Sequence, residues 1–251
     1  LGRGLPQPPG YRYRAMMHRF FTIRPEAPPR AVLEQWYSTS PLGKRLREQL
    51  NKDMGVILDQ WFGYNLLVIG PNTDIPISEM TRVRRVLQVL DRDQQLRKGY
   101  TGVYAHDEEL PLETESVDVV VVLNALDLSA HPHQLLREVH RVLTPHGHLL
   151  IVGTNGWSIS GLWHRLVRLV TGYRSEHARA PGLRRLEDWL TLLEFAIAPV
   201  RHKLVVPAAG SSRWTRWLVS VDEWLVDHNI PFGSTYMIFA DKLVRGNTKM
   251  H

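Results

Sequence analysis

Residues 117–152 read VDVVVVLNALDLSAHPHQLLREVHRVLTPHGHLLIV, and this stretch decides the fold. Val117 to Leu123 is apolar on both faces apart from Asp118, as a central strand of a parallel sheet requires. Leu135, Leu136, Val139, Val142 and Leu143 recur at helical spacing and predict a helix over 133–143 with one apolar face. Pro145-His146-Gly147 stops that helix, and His148 to Val152 is a second buried strand closed by Gly153. Strand, helix and strand in so short a stretch predict neighbouring strands of a parallel sheet.

The same alternation extends in both directions. Toward the N-terminus, strands are expected at 65–70, 86–91 and 102–107, the first ending in the turn at Gly70. Toward the C-terminus, helices are expected at 161–170 and 184–193. A strand over 195–206 is interrupted by Pro199, and a last strand covers 234–244. Trp214, Trp217, Leu218, Val221, Trp224 and Leu225 form an apolar helical stripe that reads as core packing. Seven strands alternating with helices predict an α/β, Rossmann-like doubly wound parallel sheet with helices on both faces.

Ahead of the first strand, residues 31–62 read as a helical cap, with Leu42, Leu46 and Leu50 at intervals of four. Residues 1–30 hold Pro6, Pro8, Pro9, Pro25, Pro28 and Pro29 and read as a flexible arm. Residues 63–245 form the main domain and 246–251 a tail. Formal charge is +6, and residues 1–60 carry ten basic against five acidic side chains. Arg12, Arg14, Arg19, Arg24 and Arg30, interleaved with Tyr11, Tyr13, Phe20 and Phe21, offer charge and stacking to RNA or an acidic protein. A solvated arm is the more ordinary reading of such a run.

Composition excludes several classes. Hydrophobic residues at 43% and charged residues at 22% rule out a disordered tail protein. The absence of cysteine removes disulfide frameworks, Cys-held zinc or iron–sulfur centres and a thiol nucleophile. No run reaches the length of a membrane helix, and LGRGLPQPPG has no signal-peptide apolar region, so the expected address is the cytoplasm. His131 and His133, with His146 and His148, form two His-x-His pairs, which raises a metal reading. They lie around a helix whose C-terminus favours cationic side chains, and no metal is expected. No Gly-x-Ser-x-Gly elbow, no P-loop and no Gly-x-Gly-x-x-Gly after the first strand is present.

A family resemblance rests on these residues. Asp107 is followed by Leu110-Pro111, then Ser116-x-Asp118 at a strand, then Leu135-x-x-Glu138-x-x-Arg141-Val142-Leu143-Thr144-Pro145-His146-Gly147 before the next strand. The string resembles class I S-adenosylmethionine (SAM) dependent methyltransferases of the type 11 kind. Trp36, Pro41-Leu42-Gly43, Gly63-Tyr64-Asn65, Thr154-Asn155-Gly156-Trp157-Ser158 and Leu186-Glu187-Asp188-Trp189 resemble a subgroup of short bacterial methyltransferase-like proteins. The resemblance implies strand order 3-2-1-4-5-7-6, with the last strand antiparallel. It also implies SAM as cofactor across the carboxyl ends of the first four strands. It assigns Asp91 (with Asp93 beside it) to the ribose hydroxyls, Asp107 to the adenine amino group, and Asn124 to the opening of the fourth strand. His131, Asn155 and Trp157 fall on the substrate side; no catalytic base is legible.

One motif departs from the family. Its acid-x-Gly-x-Gly-x-Gly turn is here Val68-Ile69-Gly70-Pro71-Asn72-Thr73-Asp74. Only Gly70 survives, Asn72 is expected to imitate one glycine by adopting positive φ, and Asp74 brings a carboxylate toward that of SAM. Two functions are therefore expected from this sequence. One is SAM-dependent methyl transfer to a small-molecule or macromolecular acceptor; the other is a catalytically inactive relative that binds or regulates a protein partner.

Overall fold

The Val-rich run 117–123 is the centre of the sheet, and every residue of it but Asp118 is buried. The computed structural model describes residues 29–39, 41–90, 96–106, 109–154, 181–203 and 235–243. The arm up to residue 28, the helix expected at 161–170 and the Trp stripe of 214–225 lie outside them. The described elements begin with α1 (Pro29–Thr39), α2 (Pro41–Leu58), β1 (Asn65–Ile69), α3 (Ile77–Met80), β2 (Arg85–Leu90) and β3 (Thr101–Tyr104). They continue with β4 (Val117–Leu123), α4 (Ala125–Leu128), α5 (Pro132–Val142), β5 (Leu143–Thr154), α6 (Leu183–Leu192), β6 (Phe195–Ile197), β7 (Arg201–Lys203) and β8 (Thr235–Lys242).

Seven strands lie side by side in the order β3-β2-β1-β4-β5-β8-β6, and β7 also pairs with β8. The β1–β2, β1–β4, β2–β3 and β4–β5 pairs are parallel, whereas β8 runs antiparallel to β5, β6 and β7. This is the order the resemblance implies. The expected strand over 195–206 is two short ones, β6 and β7, because Pro199 has no N–H to donate to a ladder. β5 also begins earlier than expected: Leu143 already pairs with Val117, and His146 (φ 62°) turns the chain before His148 resumes opposite Val119.

Each face of the sheet carries its own core. On one, Leu67, Ile69, Val120, Val122, Leu149 and Ile151 meet Leu135, Leu136 and Val139 of α5 and Leu186 and Leu190 of α6. On the other, Leu66, Val68, Val119, Val121 and Leu150 meet Tyr37 of α1 and Leu46, Leu50, Met54 and Leu58 of α2. The four-residue spacing along α2 puts its apolar residues on one stripe, which the sheet then covers. Lys242 on β8 closes α5: its Nζ donates to the carbonyls of His140 and Leu143 at 3.0 and 2.8 Å. A cation there satisfies orphan carbonyls and complements the helix dipole.

Two glycines test this packing. A Cβ on Gly70 would collide with the Leu123 carbonyl, at φ +135°, whereas a Cβ on Gly55 in α2 meets only Met80 at 4.0 Å. Gly70→Ala therefore destabilises the protein by about 2 kcal/mol or more, through overpacking and backbone strain. Gly55→Ala stabilises it by about 0.5–1 kcal/mol. Chemical denaturation of both variants beside the parent checks the opposite signs.

Candidate functional site

The site is built where β1 and β4 end beside each other, the point at which the strand order reverses and ligands of doubly wound sheets bind. Gly70 leaves β1 with its backbone pressed on Leu123, which a larger residue would prevent. The chain then runs through buried Pro71 into a polar turn. The Asn72 backbone N–H donates to Oε1 of Glu34, on α1, at 2.6 Å. Oδ1 of Asn72 accepts a long hydrogen bond from the Asp74 N–H at 3.4 Å, an Asx turn.

The left-handed residue of this loop is Asp74 (φ 55°), not Asn72 as the sequence suggests. The Asn72 side chain is engaged in closing the turn. Asp, like Asn, tolerates that region better than bulkier residues do. The Asp74 carboxylate is 54% exposed and lies 3.3 Å from Nη1 of Arg47, on α2. The crossover from β1 to β2 holds just one helical turn, α3, and its N-cap, Pro76, makes no side-chain capping bond. A helix that short brings little dipole to an anion.

At the end of β4, Asn124 is in the left-handed region (φ 50°) and almost fully buried. Its Oδ1 accepts from the Tyr37 hydroxyl at 3.0 Å, and its Nδ2 donates to Oδ2 of Asp127 at 3.0 Å. The same Asp127 oxygen accepts from the backbone N–H and the hydroxyl of Thr154, at 2.8 and 3.0 Å. The other oxygen, Oδ1, is buried and has no hydrogen-bond partner among the described residues, as is the case for the Tyr236 hydroxyl. Burial pushes the Asp127 carboxyl up to about 6, against the pull of its three hydrogen bonds. Desolvation, and then the charge of Asp127, raise both Tyr37 and Tyr236 far above the ordinary phenol value.

Of the residues chosen from sequence, Gly70, Asn72 and Asn124 are brought to one edge of the sheet. α1 reaches two of them, through Glu34 and Tyr37. His131 is exposed at the head of α5, its N–H donating to Oγ of Ser129 at 3.0 Å. Asp91, Asp107, Asn155 and Trp157 lie outside the described residues. Among the paired histidines, His148 stacks on Trp61 at 4.8 Å and sits 2.6 Å from the Asp241 carboxylate; His133 meets Trp189 edge-on. Glu34, Tyr37, Arg47 and Asp127 escaped the sequence reading. A carboxylate three residues after Asn124, in a first helical turn, looks like ordinary capping, and α1 and α2 look like ordinary amphipathic helices.

The Glu138-x-x-Arg141 motif proves to be a clamp. Oε2 of Glu138 accepts the Leu110 N–H at 3.1 Å, and Arg141 donates to the carbonyls of Leu110 and Leu112 at 2.9 Å each. Arg141 also pairs with Glu138 at 2.8 Å and holds that carboxyl below its usual range. The motif thereby pins the Leu110-Pro111-Leu112 segment against α5.

Comparison with known proteins agrees with this architecture. Residues 75–151 match the methyltransferase domain family. The protein YafS of Escherichia coli K12 is 31% identical over 181 residues, covering 72% of each chain. A SAM-dependent methyltransferase of Thermotoga maritima superposes with a TM-score of 0.56 at 16% identity, over 92% of this chain and 97% of its own. One from Archaeoglobus fulgidus gives 0.57 at 13%, over 84% and 98%. A chain from the complex of a Haloferax volcanii methyltransferase with the activator Trm112 gives 0.58 at 14%, over 88% and 100%. At these identities the structural likenesses establish the fold.

The raised Asp127 carboxyl has a pH signature. Its folded value, about 6, lies above the reference 3.8, so it favours the fold fully only below pH 4, and that contribution is lost as pH rises through 6. Between pH 4 and pH 8 the stability of Asp127→Asn should therefore gain on the parent by about 2–3 kcal/mol. Urea unfolding at both pH values measures it; a constant difference would mean that the carboxylate carries no burial penalty.

Proposed function

This chain belongs to the family of YafS and matches the methyltransferase domain over residues 75–151, and from that premise we propose that it transfers the methyl group of SAM to an acceptor. The observation that carries the reading is the reversal point of the sheet, where Gly70 is pressed on Leu123 and a polar loop opens beside Asn124. SAM, when bound, supplies an electrophilic methyl on its sulfonium sulfur. The polar loop fits the charged amino-acid end of such a molecule, because it brings a cation, a carboxylate and a left-handed turn together.

In this reading residues 63–245 are the catalytic unit and 31–62 its helical cap. Gly70 and Asn72 border the amino-acid end, Asp91 accepts the ribose hydroxyls and Asp107 the adenine amino group. Asn124, fixed by Tyr37 and Asp127, forms the floor between them. The Glu138–Arg141 clamp holds the chain that follows Asp107. His131, Asn155 and Trp157 lie on the acceptor side. The protein's chief contribution is orientation: holding both reactants in line removes entropy from the barrier.

A second reading, an inactive relative that serves as a binding or regulatory partner, is favoured by one contact. The Glu34 carboxylate already occupies the Asn72 N–H, so the loop is partly closed by the chain's own side chain. A protein partner would belong to that reading, as an activator accompanies the Haloferax methyltransferase. No described helix is long and apolar enough to cross a membrane.

Calorimetric titration with SAM and S-adenosylhomocysteine separates the two. The enzyme reading expects micromolar binding that Asp91→Ala or Asp107→Ala weakens by about 1–3 kcal/mol, the scale of a hydrogen bond to a charged group. Tight binding indifferent to both substitutions would remove these two assignments; no binding by the parent would leave the partner reading.

A further inference from the structure

We propose that Arg47 and Asp74 together form the receptor for the zwitterionic amino-acid tail of the cofactor, so that helix α2 supplies what the eroded glycine loop has lost. The inference rests on the SAM-binding reading and goes beyond it by assigning the two tail charges to two named residues, one of them outside the glycine loop.

A glycine-rich turn receives a carboxylate on unobstructed backbone N–H groups and on the dipole of the helix that follows. Here Pro71 has no N–H, Asn72 N–H is taken by Glu34, and α3 is a single turn. The loop also adds a carboxylate of its own at Asp74. A ligand carboxylate arriving there would meet two protein carboxylates, Glu34 and Asp74, and like charges at short range repel.

Arg47 changes the balance. Its guanidinium reaches the loop from α2 and stands 3.3 Å from Asp74, with the Arg47 side chain 25% and that of Asp74 54% exposed. A guanidinium has five donors in a fixed fork, more than one carboxylate can use, so it can take a second anion beside the first. Asp74 in turn is more than half exposed and has a lone-pair array suited to an ammonium. Its left-handed backbone turns the carboxylate out of the strand line toward Arg47. An ion pair of one cation and one anion is the charge complement of a ligand tail that carries one of each. Glu34 on the Asn72 N–H shows in addition that this turn accepts a carboxylate on its backbone.

The test uses the full chain and four probes: SAM, S-adenosylhomocysteine, decarboxylated SAM (ammonium without carboxylate) and 5′-methylthioadenosine (no tail). The parent should bind SAM and S-adenosylhomocysteine more tightly than methylthioadenosine. Arg47→Gln should weaken SAM and S-adenosylhomocysteine by about ten- to a hundredfold, the range of one charged hydrogen-bonded contact, and leave decarboxylated SAM within about threefold. Arg47→Lys should restore part of the loss. Asp74→Asn should weaken all three tailed ligands and leave methylthioadenosine unchanged. If Arg47→Gln weakens every probe equally, its role is structural and the receptor assignment falls while the cofactor reading stands. Equal affinity of the parent for SAM and methylthioadenosine would overturn the assignment in the same way. If no probe binds the parent, the cofactor reading falls and the receptor assignment falls with it.

Discussion

One carboxylate that is hard to solvate organises the end of the sheet at which the strand order reverses. Asp127 gathers a side-chain amide, a backbone N–H and a hydroxyl on a single oxygen, and through them ties the end of β4 to the end of β5. Asn124 passes the connection on to Tyr37, so α1 is fastened to the same edge. Buried polar groups of this kind are costly unless paired, and the pairing leaves few alternative arrangements. The left-handed backbone of Asn124, which would be a strain elsewhere, is held because both ends of its side chain are committed.

Around that edge the family motifs divide their labour. The acid of the Ser116-x-Asp118 strand works at the opposite end of the sheet: Oδ2 of Asp118 accepts the N–H groups of Tyr64 and Asn65, at 2.7 and 3.0 Å, and fixes where β1 begins. Glu138 and Arg141 secure the segment after β3. Neither motif touches the reversal point of the sheet. Both motifs therefore serve the scaffold.

At the loop, side-chain contacts stand where the family motif has glycines. Glycines let a ligand meet peptide N–H groups directly; Asn72 and Asp74 instead build a turn whose charge is balanced by α2. The two N-terminal helices thus have two tasks. Their apolar stripe covers one face of the sheet, and their polar residues Glu34, Tyr37 and Arg47 reach over its edge. Because a helix repeats every 3.6 residues, side chains three and four apart share a face, which is how Glu34 and Tyr37 can both reach the edge from α1.

The alternation of buried runs and amphipathic helices by itself determined the sheet, because hydrophobic periodicity is a local property that each segment carries alone. Val117–Leu123 could be little else than a central strand, and Pro199 announced the break between β6 and β7. Gly70 was legible for the same reason: a turn after a buried strand needs a backbone without a side chain. Asn124, too, was placed correctly at the end of β4, although its partners were not visible. Those partners only the tertiary structure decided. Asp127 is unremarkable in its own helical turn until Thr154 is brought beside it by the β4–β5 pairing. Arg47 is one cation among many until α2 lies across the end of β1. Even the choice of Asp74 over Asn72 for the left-handed position depends on Glu34 and Arg47, residues distant in sequence. Burial and charge pairing between remote segments are not periodic, so no reading of one segment can contain them.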